Sequence, residues 1–144
     1  MTIQIVVAYD GSGAGRRAVD FAVDLARCSG ASLVLAHVLE WSPYSFLSAD
    51  ELAERHKRRA EELRRARTAI VDPVLAQLGA AGVEVEAEIR YGHVAETLVG
   101  IARDKGAAQI VIGRTGHSTM VARLFGSVAG SLAQIAPVPV TIVP

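Results

Sequence analysis

Gln109-Ile110-Val111-Ile112-Gly113-Arg114-Thr115-Gly116, followed nine residues later by Gly126-Ser127, carries the strongest architectural signal in this chain. The apolar run up to Ile112 is rich in β-branched residues and too short for a helix, so it reads as a strand buried on both faces. It runs straight into glycines. Glycine lacks a Cβ and tolerates the left-handed dihedrals that turn consecutive N–H groups inward, so Gly113 and Gly116 are expected to bring bare main chain against an anion. Gly126 and Ser127 then open a helical pattern that runs to Ile135. Its first amides, those of Ser127, Val128 and Ala129, lack intrahelical partners and carry the positive end of the helix dipole. A strand, a glycine turn and a helix N-terminus in this order form a cradle for a phosphate. At this chain's own glycine and Ser/Thr frequencies, the spacing G-x2-G-x9-G-[S/T] arises by accident in about one chain in a hundred, which makes it a stronger signal than a lone GxGxxG.

The rest of the chain repeats the alternation of strand and helix. Ile3 to Tyr9 is a second apolar run, ended by Asp10-Gly11-Ser12-Gly13. From Ala14 to Ser29 the apolar residues Ala18, Phe21, Ala22, Leu25 and Cys28 recur at helical spacing, and Gly30 closes the helix. Ser32 to Leu39 is another buried strand, with Val38 at its end. Residues 48–78 read as one long charged helix, with Glu54 and Arg58, and Glu61 and Arg65, at four-residue offsets. Pro73 after Asp72 is expected to kink or restart that helix, with Asp72 as a cap. Val83 to Ile89 alternates strictly, the pattern of a strand with one wet face at a sheet edge. Val94 to Lys105 is helical, and Val138 to Val143 closes the chain as a strand.

Five strands alternating with helices predict an α/β fold: a single domain with a five-stranded parallel open sheet and helices on both faces. If the first strand is central, with the second on one side and the fourth on the other, the order is 3-2-1-4-5 and the loops after Tyr9 and Ile112 become neighbours at the carboxyl edge, where such sheets bind ligands. Both glycine-bearing loops then line one cleft.

Composition narrows the function. Fifteen basic and fifteen acidic residues leave no formal charge, which argues against a nucleic-acid or anionic-membrane partner attracted by bulk electrostatics. One cysteine, Cys28, builds no disulfide framework and no Cys-rich metal site, in keeping with a reducing cytoplasm. No apolar run approaches the length of a membrane span, and residues 1–5 carry no export signal. Arg114 and His117 within the motif, and Arg123 in the intervening loop, are positioned to add charge-assisted contacts to a phosphate. The remaining histidines, His37, His56 and His93, have no metal-ligand spacing, and His37 reads as a core or cleft residue. Ser12, Ser118 and Ser131 lack a nucleophile elbow. The two lysines, Lys57 and Lys105, follow no phosphate loop, which argues against fast phosphoryl transfer.

The Asp10-Gly11-Ser12 turn, the Gly113 to Ser127 motif and the closing Val138-Pro139-Val140-Thr141-Ile142-Val143 resemble the universal stress protein family over essentially the whole chain, residues 41–72 being the least characteristic. The resemblance is to the ATP-binding branch and implies a Rossmann-like nucleotide-binding domain over residues 1–144. It implies that Gly113, Arg114, Gly116, Gly126 and Ser127, with Val128 and Ala129, hold ribose and phosphates. Ala8, Tyr9, Asp10 and Ser12 line the other wall, the Val38 backbone meets the adenine edge, and Ile112 and His117 complete the binding set. Asp10 beside a polyphosphate calls for a ribose hydroxyl or a hydrated Mg²⁺ as its partner. The expected cofactors are ATP, ADP or AMP with Mg²⁺, and the expected assembly is a homodimer through the strand at 138–143. A regulatory protein that holds its nucleotide is the leading reading. A slow nucleotide hydrolase and a nucleotide-independent interaction module stand as alternatives.

Overall fold

The computed structural model describes residues 2–40, 48–116 and 127–144, with Ser127 described through its main chain. Five strands, β1 (Gln4–Ala8), β2 (Ser32–Glu40), β3 (Val85–Gly92), β4 (Gln109–Gly113) and β5 (Val140–Val143), form one sheet in the order β3-β2-β1-β4-β5. Every pairing is parallel. The predicted topology is the one observed, with each strand within about three residues of its expected ends. The last strand enters the ladder at Val140 and not at Val138.

Parallel strands reached by helical crossovers are covered on both faces, and the central strands show it: Val6, Val7, Val34, Leu35, Ile110 and Val111 are all fully buried. On one face Ile5, Val7, Leu33, Leu35 and Val111 pack under α1 (Gly13–Ser29) and α3 (Asp72–Ala80). On the other, Val6, Val34, Ala36, Ile110 and Ile112 pack under α4 (Val94–Lys105) and α5 (Ser127–Ile135). Ser12 caps α1 by accepting from Gly15 N–H at 3.0 Å, and Gly30 ends it with φ 71°.

The face of α1 differs from the one its periodicity suggests. Its buried stripe is Ala14, Ala18, Ala22 and Ala26 with Gly15, Val19 and Val23 beside it, whereas Phe21 and Cys28 are exposed. Small residues let the helix axis approach the sheet closely, so the larger side chains rotate to solvent. At β3 the alternation holds: Val85, Ala87 and Ile89 pack inward, while Glu86 and Glu88 meet Lys105 at 3.1 and 3.3 Å.

The expected long helix is three pieces: α2 (Ala49–Ala66), a π-helical turn (Arg67–Val71) and α3. Pro73 cannot donate to a carbonyl one turn back and its ring collides there, so the wider π turn admits it near the start of α3. Asp72 is not the cap. Val71 takes that position without a side-chain bond, and Asp72 pairs with Arg67 at 3.4 Å. Of the two expected ion pairs on α2, Glu54–Arg58 is present at 3.6 Å, between exposed side chains. A single buried residue, Ala66, lies on α2. The helix is latched instead at Tyr91, whose hydroxyl donates to Glu62 at 2.7 Å while the Arg59 guanidinium lies 5.2 Å from its ring centre. Burial and that carboxylate push the Tyr91 phenol up to about 12, which keeps it a donor.

Candidate functional site

β1 stops at Ala8 while its neighbour β2 continues to Glu40, so the carboxyl edge is notched where the strand order reverses. A cleft of about 350 Å³ fills the notch, and its wall includes Ala8, Tyr9, Asp10, Val38, Ile112, Gly113, Arg114, Gly116, Val128 and Ala129. Those ten belong to the expected binding set. Ser12 stands behind the wall, where its N–H donates to Asp10 Oδ1 at 2.9 Å, its hydroxyl donates to the same oxygen, and its own oxygen caps α1. Asp10-Gly11-Ser12 is thus an Asx turn with Gly11 at φ 87°. His117 and Gly126, together with Ser118 and Arg123 and the side chain of Ser127, lie outside the described residues.

Further wall residues escaped the sequence reading: Gly15, Ala36, Leu39, Glu40, Val94, Leu98 and Thr115, with His37 now placed in the cleft. Val94 and Leu98 were legible as an i, i+4 apolar pair on α4, but their cleft-facing position follows from how α4 crosses the sheet. Glu40 and Leu39 extend β2 beyond β1, and no local pattern announces how far one strand outruns another.

Gly113 and Gly116 lack the left-handed dihedrals expected of them. Neither has a positive φ; the left-handed glycines of the described residues are Gly11, Gly30, Gly82, Gly92 and Gly106. Close approach is the reason for both. A Cβ on Gly113 would lie 2.9 Å from the Ala14 carbonyl oxygen, so its absence lets β4 pass the first turn of α1. A Cβ on Gly116 would lie 2.7 Å from Asp10 Oδ2, so the carboxylate occupies the space a side chain would fill. The first approach packs the end of β4 on α1, and the second brings the loop after β4 onto the turn after β1. The Arg114 amide donates to the Val143 carbonyl at 2.7 Å, which leaves its exposed guanidinium as the part open to a ligand.

The cleft is chemically divided. At the β2 end Ala36, Val38, Val94 and Leu98 make an apolar slot with His37 and Glu40 beside it, and at the other end Asp10, Gly113, Thr115 and Gly116 line the wall together with Val128 and Ala129 of α5. Among the described residues no group of three or more His, Cys, Asp and Glu side chains is placed to hold a metal ion, and no helix is long and apolar enough to cross a membrane.

A doubly wound parallel sheet with a cleft at its switch point defines a small-ligand-binding α/β protein. The profile of the universal stress protein family matches residues 1–144, and the chain belongs to that family. It is 29% identical to universal stress protein YxiE of Bacillus subtilis, with 97% of each chain covered. Among solved structures, hypothetical protein MJ0577 matches with a TM-score of 0.81 at 22% identity, over 99% of this chain and 96% of that one, which is a likeness of fold. A universal stress protein in complex with cAMP matches at 30% identity and a TM-score of 0.66, over 99% of this chain and 97% of that one.

Proposed function

We propose that residues 1–144 form a cytoplasmic regulatory domain that holds ATP, or its product ADP or AMP, in the switch-point cleft with little or no turnover. The carrying observation is the division of the cleft into an apolar slot at the end of β2 and a polar, glycine-lined end at β4 and α5. A flat purine suits the first and a phosphate chain the second. Ala8, Tyr9 and Ile112 close the cleft floor, Val38 meets the base, and Gly113, Arg114, Gly116, His117, Gly126, Ser127, Val128 and Ala129 serve ribose and phosphates. Asp10, set by Ser12, takes a ribose hydroxyl or a hydrated Mg²⁺ shared with the phosphates. Both lysines lie outside the cleft wall, so the fast transfer chemistry of a phosphate-loop lysine has no counterpart here. The bound cAMP of the 30% identical relative supports the adenine reading.

Denaturing the freshly purified chain and weighing what it releases should yield an adenine nucleotide. The stripped chain should then bind ATP with Mg²⁺ and leave it intact over hours. A chain that neither retains nor rebinds nucleotide overturns the proposal, and steady ADP production replaces it with the hydrolase.

The second part of the reading is a homodimer through residues 138–143. Ile110 N–H donates to Pro139 C=O at 3.0 Å and Arg114 N–H to Val143 C=O at 2.7 Å, so odd-numbered residues of β5 face β4. Val140 and Ile142 therefore turn N–H and C=O outward, and Pro139 removes no outward donor. Ile142 is also exposed. Two copies pairing these edges about a two-fold axis make an isologous contact. Ile142→Pro deletes one outward donor and spares the β4 ladder, so sedimentation should report a monomer for that variant and a dimer for the wild type. A wild-type monomer at micromolar concentration sinks the dimer.

A further inference from the structure

The ladder between β1 and β2 follows one rule: even-numbered residues of β2 turn N–H and C=O toward β1. Ser32 N–H reaches the Ile3 carbonyl at 2.9 Å at one end, and Tyr9 N–H reaches the Ala36 carbonyl at 2.9 Å at the other. The next rung of a parallel ladder would run from Val38 N–H to the Tyr9 carbonyl. That rung is missing among the described residues. The Tyr9 carbonyl is instead 2.7 Å from Nδ1 of His37. A carbonyl only accepts, so Nδ1 carries the proton and donates. His37 is 5% exposed, one of two buried polar side chains among the described residues, and it lines the cleft.

We propose that His37 is a positioning residue: by occupying the Tyr9 carbonyl it ends the β1–β2 ladder one rung early and keeps the Val38 N–H open for a ring-nitrogen acceptor of the bound base. The inference rests on the nucleotide reading and adds to it the residue that sets the base contact. Tyr9 C=O is the acceptor that the next rung of the ladder would give Val38 N–H, and in this arrangement it accepts from His37 instead. The Val38 amide then faces the cleft beside its own carbonyl, a donor and an acceptor on one edge. That pair matches a purine edge carrying a ring nitrogen next to an exocyclic amine, such as adenine. Without the imidazole, sheet and ligand would compete for the same N–H.

Two variants separate this role from simple packing. His37→Phe keeps a ring and deletes both nitrogens, whereas His37→Asn returns an amide donor near the position of Nδ1. In nucleotide-free wild type the Val38 amide should exchange with solvent quickly and slow on adding ATP with Mg²⁺. In His37→Phe it should already be slow without nucleotide, and the Kd for ATP should rise by about tenfold, the effect of one competed hydrogen bond. His37→Asn should restore both readings to within about threefold of wild type. Ring ¹⁵N shifts should place the His37 proton on Nδ1. The wild-type exchange measurement needs no variant, so a Val38 amide protected in the nucleotide-free chain overturns the inference even where His37→Phe does not fold. A wild type that binds ATP while His37→Phe matches it in affinity and in Val38 exchange also overturns it. A wild type that binds no adenine nucleotide overturns the functional reading instead, and the exchange comparison still decides whether His37 blocks the rung.

Discussion

Gly113→Ala should lose about 1–3 kcal/mol of stability, and Gly113→Val more, because the added Cβ meets main chain and not a side-chain tip. The Ala14 carbonyl oxygen lies 2.9 Å and its carbon 3.1 Å from where that Cβ would stand, and Ala14 is in the first turn of α1. Relief requires α1 and β4 to move apart, which disturbs Val19, Ala22 and Val111 in the same core. The Asp10 turn is carried with the helix, since Ser12 both caps α1 and bonds Asp10. Nucleotide affinity should therefore fall along with stability. A glycine kept for its approach to phosphate would behave differently: urea unfolding of the nucleotide-free variant would match wild type and only ATP binding would suffer. Unfolding curves without nucleotide tell the two apart, and an unchanged midpoint would refute the packing role.

Leu98→Ala should be more damaging, by roughly 2–5 kcal/mol, with the thermal midpoint lowered on the order of 10 °C. Leu98 is fully buried, belongs to the cluster under α4 with Val34, Ala36 and Ile110, and also lines the cleft. Truncation removes transfer energy and leaves a void that rigid strands cannot close. Because the void opens on the apolar slot, the base loses a wall as well. ATP should then raise the midpoint less than it does in wild type, since ligand stabilisation scales with the ratio of concentration to Kd. Calorimetry with and without ATP measures both. A loss below 1 kcal/mol would mean that α4 collapses onto the sheet and that the slot is not shaped by this residue.

The topology could be read from the chain because each strand is a β-branched run of buried length and each connection is helical. Right-handed crossovers then leave few arrangements, and the alternating Val83 to Ile89 pattern already marks an edge. The site was legible as a set of glycines and an aspartate converging at that switch point. Less visible was why the glycines are there. Gly113 faces Ala14 and Gly116 faces Asp10, partners about a hundred residues away in sequence, so a local turn argument assigned left-handed dihedrals that neither residue has. The same reason explains α1, where Phe21 and Cys28 fit the helical period yet turn outward, because the sheet accepts an alanine stripe.

Periodicity, glycine spacing and strand composition suffice to specify a five-stranded parallel sheet with helical crossovers, since these are properties of neighbouring residues and of chain connectivity, and the order β3-β2-β1-β4-β5 is one of the few arrangements they leave. The Tyr91 latch on α2, the close passage at Gly113 and the His37 bond to the Tyr9 carbonyl come from packing alone. Each depends on distances between segments far apart in sequence. Such distances are set when the two faces of the sheet fill, and local pattern carries no record of them.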